Sequence, residues 1–267
     1  KMRSDIFIIM PLSRREFLKL GATLPVVACF KPQHRKYDYN DNFVSFDTIN
    51  KILNSTKLMK IKYKFVKDGE LQEFDGYTNG TLIGKNKYLT VSHAVYLDDD
   101  LRKSQILTPF GVYEMESEDF KVLERQYSID EKPARMIYRS AIDDLALFET
   151  EEMYDEYAKI GNSDDLYYGN LLIIPGTPYG ENIKLRTSHV SNLNMPEEVN
   201  IEDKGLTDIP RDQYFMFYIA DYGDSGSGVY ALDKGDPELV GVIEFKFYSM
   251  GGAIKINHVL RKIKDLI

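Results

Sequence analysis

From residue 46 onward the chain is a succession of short extended apolar runs, each cut off by turn chemistry within a few residues. KYKFV gives way to KDG and then LQEF; YTNGTLIG contains an Asn-Gly; KYLTVS, NLLIIPG, IKLRTSHV, GVYAL, PELVGVIEF and GAIKI follow. Runs of this length are too short for helices that bury a face, and their β-branched and aromatic content suits strands. Asn-Gly and Lys-Asp-Gly between apolar runs read as hairpin turns, because both supply the positive-φ residues such turns need. Many short strands at close spacing predict an antiparallel barrel or sandwich. Helical spacing occurs only at the ends of this region, in Phe46, Ile49, Ile52 and Leu53 and again in Val259, Leu260, Ile263 and Ile267. With 267 residues and 43% hydrophobic content, the chain can build one large core or two smaller ones.

The first 29 residues carry a different signal. SRREFLKLGATLPVVAC joins an Arg pair to a short apolar stretch that ends in small residues, the layout of an export signal, and the stretch is too short to span a bilayer. Ser13 to Lys19, with Arg14 and Arg15, resembles a twin-arginine export motif, which a receptor reads. Val26-Val27-Ala28-Cys29 is similar to a bacterial lipobox, which makes Cys29 the expected lipidation site and membrane anchor, and Pro25 is a departure just upstream. Met10 is the expected natural start. Residues 30–45 are polar, hold His34 and show no apolar period, so they are expected to form a flexible tether. The expected localisation is the cell envelope or periplasm.

Charge and cysteine usage exclude several classes. The formal charge is −8, and the first 28 residues hold five of the basic and two of the acidic residues, which leaves −11 for the remainder. So acidic a body does not provide the basic groove that nucleic acid needs. A single Cys makes neither an internal disulfide nor a thiolate metal cluster. No haem attachment pair or dinucleotide loop is present, so neither cofactor nor metal is expected, although the export route often carries redox proteins.

Three segments place residues of catalytic type at the edges of strand runs. His93 ends YLTVSHAV, Asp144 begins the apolar run of IDDLALFE, and Ser225 sits in DYGDSGSG. Each alone has an ordinary alternative: a hydrogen-bonded structural His, a turn or cap Asp, a turn Ser. Together, widely separated in sequence and each at a strand end, they fit a site assembled from several loops on a rigid scaffold. Asp143 is the second candidate for the acid. An α/β-hydrolase reading would recruit His258, but the fifth position of its Gly-x-Ser-x-Gly elbow is Ser227 here and a Lys-Gly-Asp-Pro hairpin follows where a helix is required. His189 is the remaining histidine.

On these residues the chain resembles the trypsin-fold serine peptidases. Leu89 to Ala94 is similar to the family segment ending in Ala-His, Asp144-Leu145-Ala146-Leu147 to its Asp-Ile-Ala-Leu, and Gly223 to Gly228 to its Gly-Asp-Ser-Gly-Gly or Gly-Asn-Ser-Gly-Ser. Leu239 to Ile243 matches the strand after the nucleophile hairpin, and the likeness runs from about Lys60 to the C-terminal helix. The resemblance implies an all-β fold of two antiparallel six-stranded barrels, at about 55–150 and 160–255, closed by a helix at about 257–267. It implies Ser225 as nucleophile, His93 as base, Asp144 as the acid that orients it, and the Gly223 and Ser225 amides as an oxyanion hole whose donors are worth about 3 kcal/mol each. Ser227 is left as a turn residue.

The family's position at the pocket floor is occupied by Ile219, which argues against Lys or Arg specificity. Glu244-Phe245-Lys246 corresponds to the strand that pairs with substrate backbone, where the family usually has Ser, an aromatic residue and Gly. Lys246 is expected to cap the pocket and favour an acidic side chain, to obstruct it, or to lie on the surface. Glu244 would repel Asp144 unless it points away or is protonated. In the zymogen branch the equivalent of Asp224 receives a freed N-terminus, so here Asp224 is expected to have some other partner. The resemblance thus implies an exported serine endopeptidase acting on peptides or proteins; the alternative is a catalytically silent trypsin-fold binding or scaffold module.

Overall fold

The computed structural model describes residues 44–67, 69–96, 121–177, 183–199, 209–221, 223–232 and 236–267, with backbone alone for 103–108 and 111–116. Arg14, Arg15, Cys29 and the tether to residue 43 lie outside the described residues. Val44–Ile267 forms one compact unit.

Its first element, α1 (Phe46–Ser55), begins where Ser45 caps it: the Ser45 hydroxyl accepts the Thr48 N–H at 3.1 Å. The helix buries Ile52 and leaves Phe46 exposed. β1 (Thr56–Lys67) follows at once and turns through Gly69, at φ +80°, into β2 (Glu70–Gly84). The Lys-Asp-Gly turn is therefore where the sequence predicts it. β1 alternates with period two: Met59, Ile61, Tyr63 and Phe65 are buried, while Lys60 and Lys62 reach Asp75 and Glu73 across the strand pair.

A first barrel closes in the order β1, β2, β3 (Lys87–Val91), β8 (Leu145–Thr150), β7 (Lys132–Ser140), β6 (Lys121–Ile129) and back to β1. A separate hairpin, β4 (Lys103–Thr108) with β5 (Gly111–Glu116), is inserted between β3 and β6. The second barrel runs β13 (Gly228–Ala231), β10 (Leu171–Gly176), β11 (Lys184–Asn192), β12 (Tyr214–Tyr218), β15 (Met250–Lys255), β14 (Glu238–Phe247) and returns to β13. The short β9 (Lys159–Ile160) lies parallel on β14 outside that ring. α2 (Ile256–Ile263) ends the fold. Two closed six-stranded antiparallel barrels and a C-terminal helix are thus the architecture the resemblance implies. Closure leaves no open sheet edge in either ring.

Three apolar clusters explain the packing. Met59, Tyr88 and Phe148 belong to the interior of the first barrel, and Leu172, Phe215, Phe217 and Val240 to that of the second. Between them, Leu89, Leu145, Leu147, Tyr214, Tyr230, Val242, Ile254 and Val259 form a third cluster drawn from both rings. β8 shows why its run is continuously apolar: Ala146 and Phe148 join the first interior while Leu145 and Leu147 join the inter-barrel core. Each fully buried side chain of this size contributes about 2–3 kcal/mol.

Two sequence expectations are corrected. Asn79-Gly80 is no hairpin turn but lies within β2, paired to Leu58 and Lys57 of β1. A Cβ at position 80 would collide with the Tyr88 ring, so this glycine makes room for a core aromatic instead of reversing the chain. The closing helix stops at Ile263 instead of reaching residue 267, and Ile267 is exposed rather than part of the packed face, which is built by Ile256, Val259 and Ile263.

Candidate active site

β3 ends at Val91, and the next four residues turn sharply, with the Val95 and Tyr96 amides both donating to the Ser92 carbonyl at 3.1 and 3.0 Å. Buried Val95 anchors this turn, and half of the His93 side chain stays accessible. The loop between β7 and β8 brings Asp144 opposite it. One Asp144 carboxylate oxygen accepts the His93 backbone N–H at 2.7 Å and the other lies 2.6 Å from Nδ1. The Ser92 N–H also donates to the Asp144 carbonyl at 3.0 Å. Asp144 is buried and left-handed, at φ +46°, a conformation that persists in a non-glycine residue only when its surroundings hold it.

This two-point contact puts the proton on Nδ1 and leaves the Nε2 lone pair facing away from the acid. Burial pulls the imidazole toward neutrality. The charge and hydrogen bond of Asp144, with a smaller contribution from Glu244, outweigh it and raise the His93 pKa above its ordinary value.

Ser225 lies on the second barrel, in the tight loop before β13. The flanking amides are engaged: Asp224 donates to the Asp221 carbonyl at 3.2 Å, Gly226 to Ile243 at 2.8 Å and Ser227 to Asp224 at 2.9 Å. The Ser225 hydroxyl donates to the Glu244 carbonyl at 3.3 Å. Among the described residues, His93 and Asp144 are joined directly, whereas the Ser225 hydroxyl is engaged by β14 and not by the imidazole.

The serine loop is nevertheless pressed onto the strands that lead to His93. Asn79 of β2 donates its side-chain amide to the Gly223 carbonyl, and its side-chain oxygen accepts from Thr177 at 2.7 Å. Gly223 and Gly226 have φ of +95° and +84°. A Cβ at 226 would overlap the Asn79 carbonyl and the Thr90 hydroxyl of β3, so the Gly after the serine permits the two barrels to touch.

Asp224 has the partner that the sequence did not reveal. Its carboxylate is 1% exposed, receives a charged hydrogen bond from Arg186 of β11, and accepts the Asp221 N–H at 2.6 Å. Arg186 also reaches Asp221 at 3.2 Å, and Lys246 lies 3.5 Å from that same Asp221. Lys246 therefore faces an acid on the serine loop, which offsets its charge. Ile219 is 54% exposed at φ +64°, its N–H bonded to the Ser249 carbonyl at 2.7 Å. Phe245 turns inward, edge to face with Tyr214 at 5.8 Å between ring centres, and offers the surface little but backbone. Buried Glu244 acts on His93 through its charge.

Sequence reasoning missed Asn79, Arg186 and Ser92, the last of which accepts from Arg139 Nε at 2.9 Å. Asn79 was hidden by its turn-like dipeptide. Arg186 carries no local signal. His189 is exposed on β11, and His258 pairs with Asp143.

A family model described as a trypsin-like peptidase domain matches residues 78–242. The chain is similar in structure to the HtrA-type protease AlgW with decapeptide, at 13% identity and a TM-score of 0.60, covering 83% of this chain and 67% of that one. It is also similar to Rv3671c from M. tuberculosis in an inactive mutant form, at 12% identity and a TM-score of 0.53, covering 84% and 91%. At these identities the two likenesses speak to the fold alone. Among curated proteins nothing matches the chain.

Proposed function

The chain belongs to the family of trypsin-like peptidase domains, and from that membership we propose a serine-type endopeptidase that hydrolyses peptide bonds through His93, Asp144 and Ser225. The two-point bond between Asp144 and His93 carries this reading, because it supplies an oriented imidazole with its basic nitrogen available. Substrate binding draws the Ser225 hydroxyl from the long contact with the Glu244 carbonyl toward His93 Nε2; such bonds commonly tighten only in the complex. His93 removes the hydroxyl proton as Ser225 Oγ attacks the carbonyl carbon. The Gly223 and Ser225 amides receive the oxyanion, and His93 returns the proton to the departing amine. Water then hydrolyses the acyl-enzyme by the same exchange.

Substrate backbone runs beside Glu244–Lys246, with Ile219 near the leading side chain. Asp221 is already engaged by Arg186 and Lys246, so the reading excludes a preference for Lys or Arg. One observation favours a second reading, a silent binding module: the Ser225 hydroxyl is held by β14. Labelling of the protein by a fluorophosphonate, which requires an activated serine, separates the two.

The raised His93 pKa sets the pH response. His93 must be neutral to act as a base, so the rate rises with pH through that pKa, and the acid limb of the kcat/KM profile is expected above about pH 6.5. A midpoint well below that value would mean that Asp144 does not control the imidazole.

Arg14, Arg15 and Cys29 support an exported precursor, recognised by an export receptor and anchored through a lipidated cysteine at the cell envelope. The mass of the mature N-terminus checks this: a diacylglyceryl adduct on Cys29 is expected, and an unmodified Cys29 would remove the anchor.

A further inference from the structure

Asp143 and Asp144 are consecutive acids that face different neighbours. Asp144 faces His93. The Asp143 carboxylate, 9% exposed, accepts the Ser140 hydroxyl at 2.8 Å, His258 Nε2 at 3.0 Å and Lys262 Nζ at 2.9 Å, while the Asp143 N–H donates to Ser140 Oγ at 3.0 Å. His258 and Lys262 are one turn apart on α2 and so share a face. That helix is seated by Ile256, Val259 and Ile263 in the inter-barrel core. The peptide joining the two acids is therefore clamped from both sides, by α2 through Asp143 and by the His93 turn through Asp144.

The ionisation states agree with this arrangement. Burial works against the Asp143 charge, but Lys262, Ser140 and His258 outweigh it and hold the carboxyl below its ordinary value. Burial, with Lys262 and Arg261 adding, outweighs the hydrogen bond and charge of Asp143 and keeps His258 below its ordinary value, so at neutral pH it is an uncharged Nε2–H donor.

Resting on the reading of His93 and Asp144 as the catalytic pair, we propose that His258 and Lys262 are positioning residues that set Asp144 through Asp143. Left-handed Asp144 sits one bond away from a residue with three side-chain partners, and without them the loop relaxes toward an ordinary backbone conformation. That relaxation turns the Asp144 carboxylate away from Nδ1. A helix contributed by the C-terminal end of the chain thus holds the acid of the first barrel in register with the histidine.

The test uses the full chain with His258→Leu, His258→Gln and Lys262→Met, read by NMR titration of His93, by kcat and KM, and by thermal unfolding. His258→Leu is expected to lower kcat between about tenfold and a hundredfold with KM within about twofold. It is also expected to move the His93 midpoint down, because burial is then no longer outweighed by Asp144. His258→Gln restores an N–H donor and is expected to recover both. Lys262→Met changes a side chain 39% exposed, so it remains folded and decides the matter if His258→Leu does not fold; a partial shift in the same direction is expected. A folded His258→Leu with unchanged titration and kcat, or a Gln variant as impaired as Leu, overturns the proposal. A parent without hydrolase activity would overturn the peptidase reading instead, and the His93 titration would still decide the positioning role.

Discussion

Ser225→Ala is expected to lose fluorophosphonate labelling entirely and to lower peptide hydrolysis by about five to six orders of magnitude, the scale seen when a nucleophile of this kind is removed. His93→Ala should cost a similar factor, and the double variant should be little worse than either, because the groups act as one unit. Stability should change little. The Ser225 hydroxyl makes one long bond, 3.3 Å to the Glu244 carbonyl, and a single neutral bond of this kind contributes about 1 kcal/mol or less. The comparison that matters is labelling of parent and variants under equal conditions, with circular dichroism as a check on folding. Labelling that persists in Ser225→Ala would place the nucleophile elsewhere. A folded parent that takes no label would favour the binding-module reading, with the serine held by β14.

The second large effect is expected from Arg186→Met. Arg186 is the charged partner of Asp224, and its removal leaves a carboxylate 1% exposed with the Asp221 amide as its remaining protein donor among the described residues. Breaking a buried pair from one side costs about 3–5 kcal/mol. The loss falls on the loop that carries Gly223 and Ser225, so kcat should drop by about 10²–10³, the scale of a lost oxyanion donor. The pH dependence has a defined sign. Burial raises the Asp224 carboxyl against the pull of Arg186, and without that pull it rises further. A carboxyl whose folded pKa exceeds its unfolded value favours the fold below the unfolded pKa and loses that contribution as pH rises through the folded one. The deficit of Arg186→Met should therefore shrink as the solution is acidified, and pairing it with Asp224→Asn should recover much of the stability at neutral pH. Thermal unfolding of the three proteins across pH decides this; a parent-like Arg186→Met at neutral pH would mean that the loop is held by its backbone bonds alone.

Much of the fold was legible because strand alternation and turn residues are local. β1 shows its buried face in every second residue, and Gly69 marks its own turn. The ends of β3 and β8 were legible for the same reason, and with them the positions of His93 and Asp144 at strand edges. Asn79-Gly80 misled because an identical dipeptide can turn a hairpin or, as here, let a core Tyr88 ring pack against a continuous strand while the Asn side chain ties the second barrel to the first. Local chemistry is the same in both cases; the difference lies in residues that meet it from elsewhere in the chain.

By itself, then, the amino-acid order determined the strand-rich class, the turn at Lys-Asp-Gly, the closing helix and the three segments that carry His93, Asp144 and Ser225, since each depends on periodicity or on residues within a few positions of one another. Only the tertiary structure decided that Asp224 is met by Arg186, 38 positions earlier, that Asp143 and His258 answer one another across 115, and that the Ser225 hydroxyl rests on Glu244. Those partnerships arise from closing two rings and packing them together. A buried charge must find its counter-ion wherever closure brings one, and no local pattern records which residue that will be.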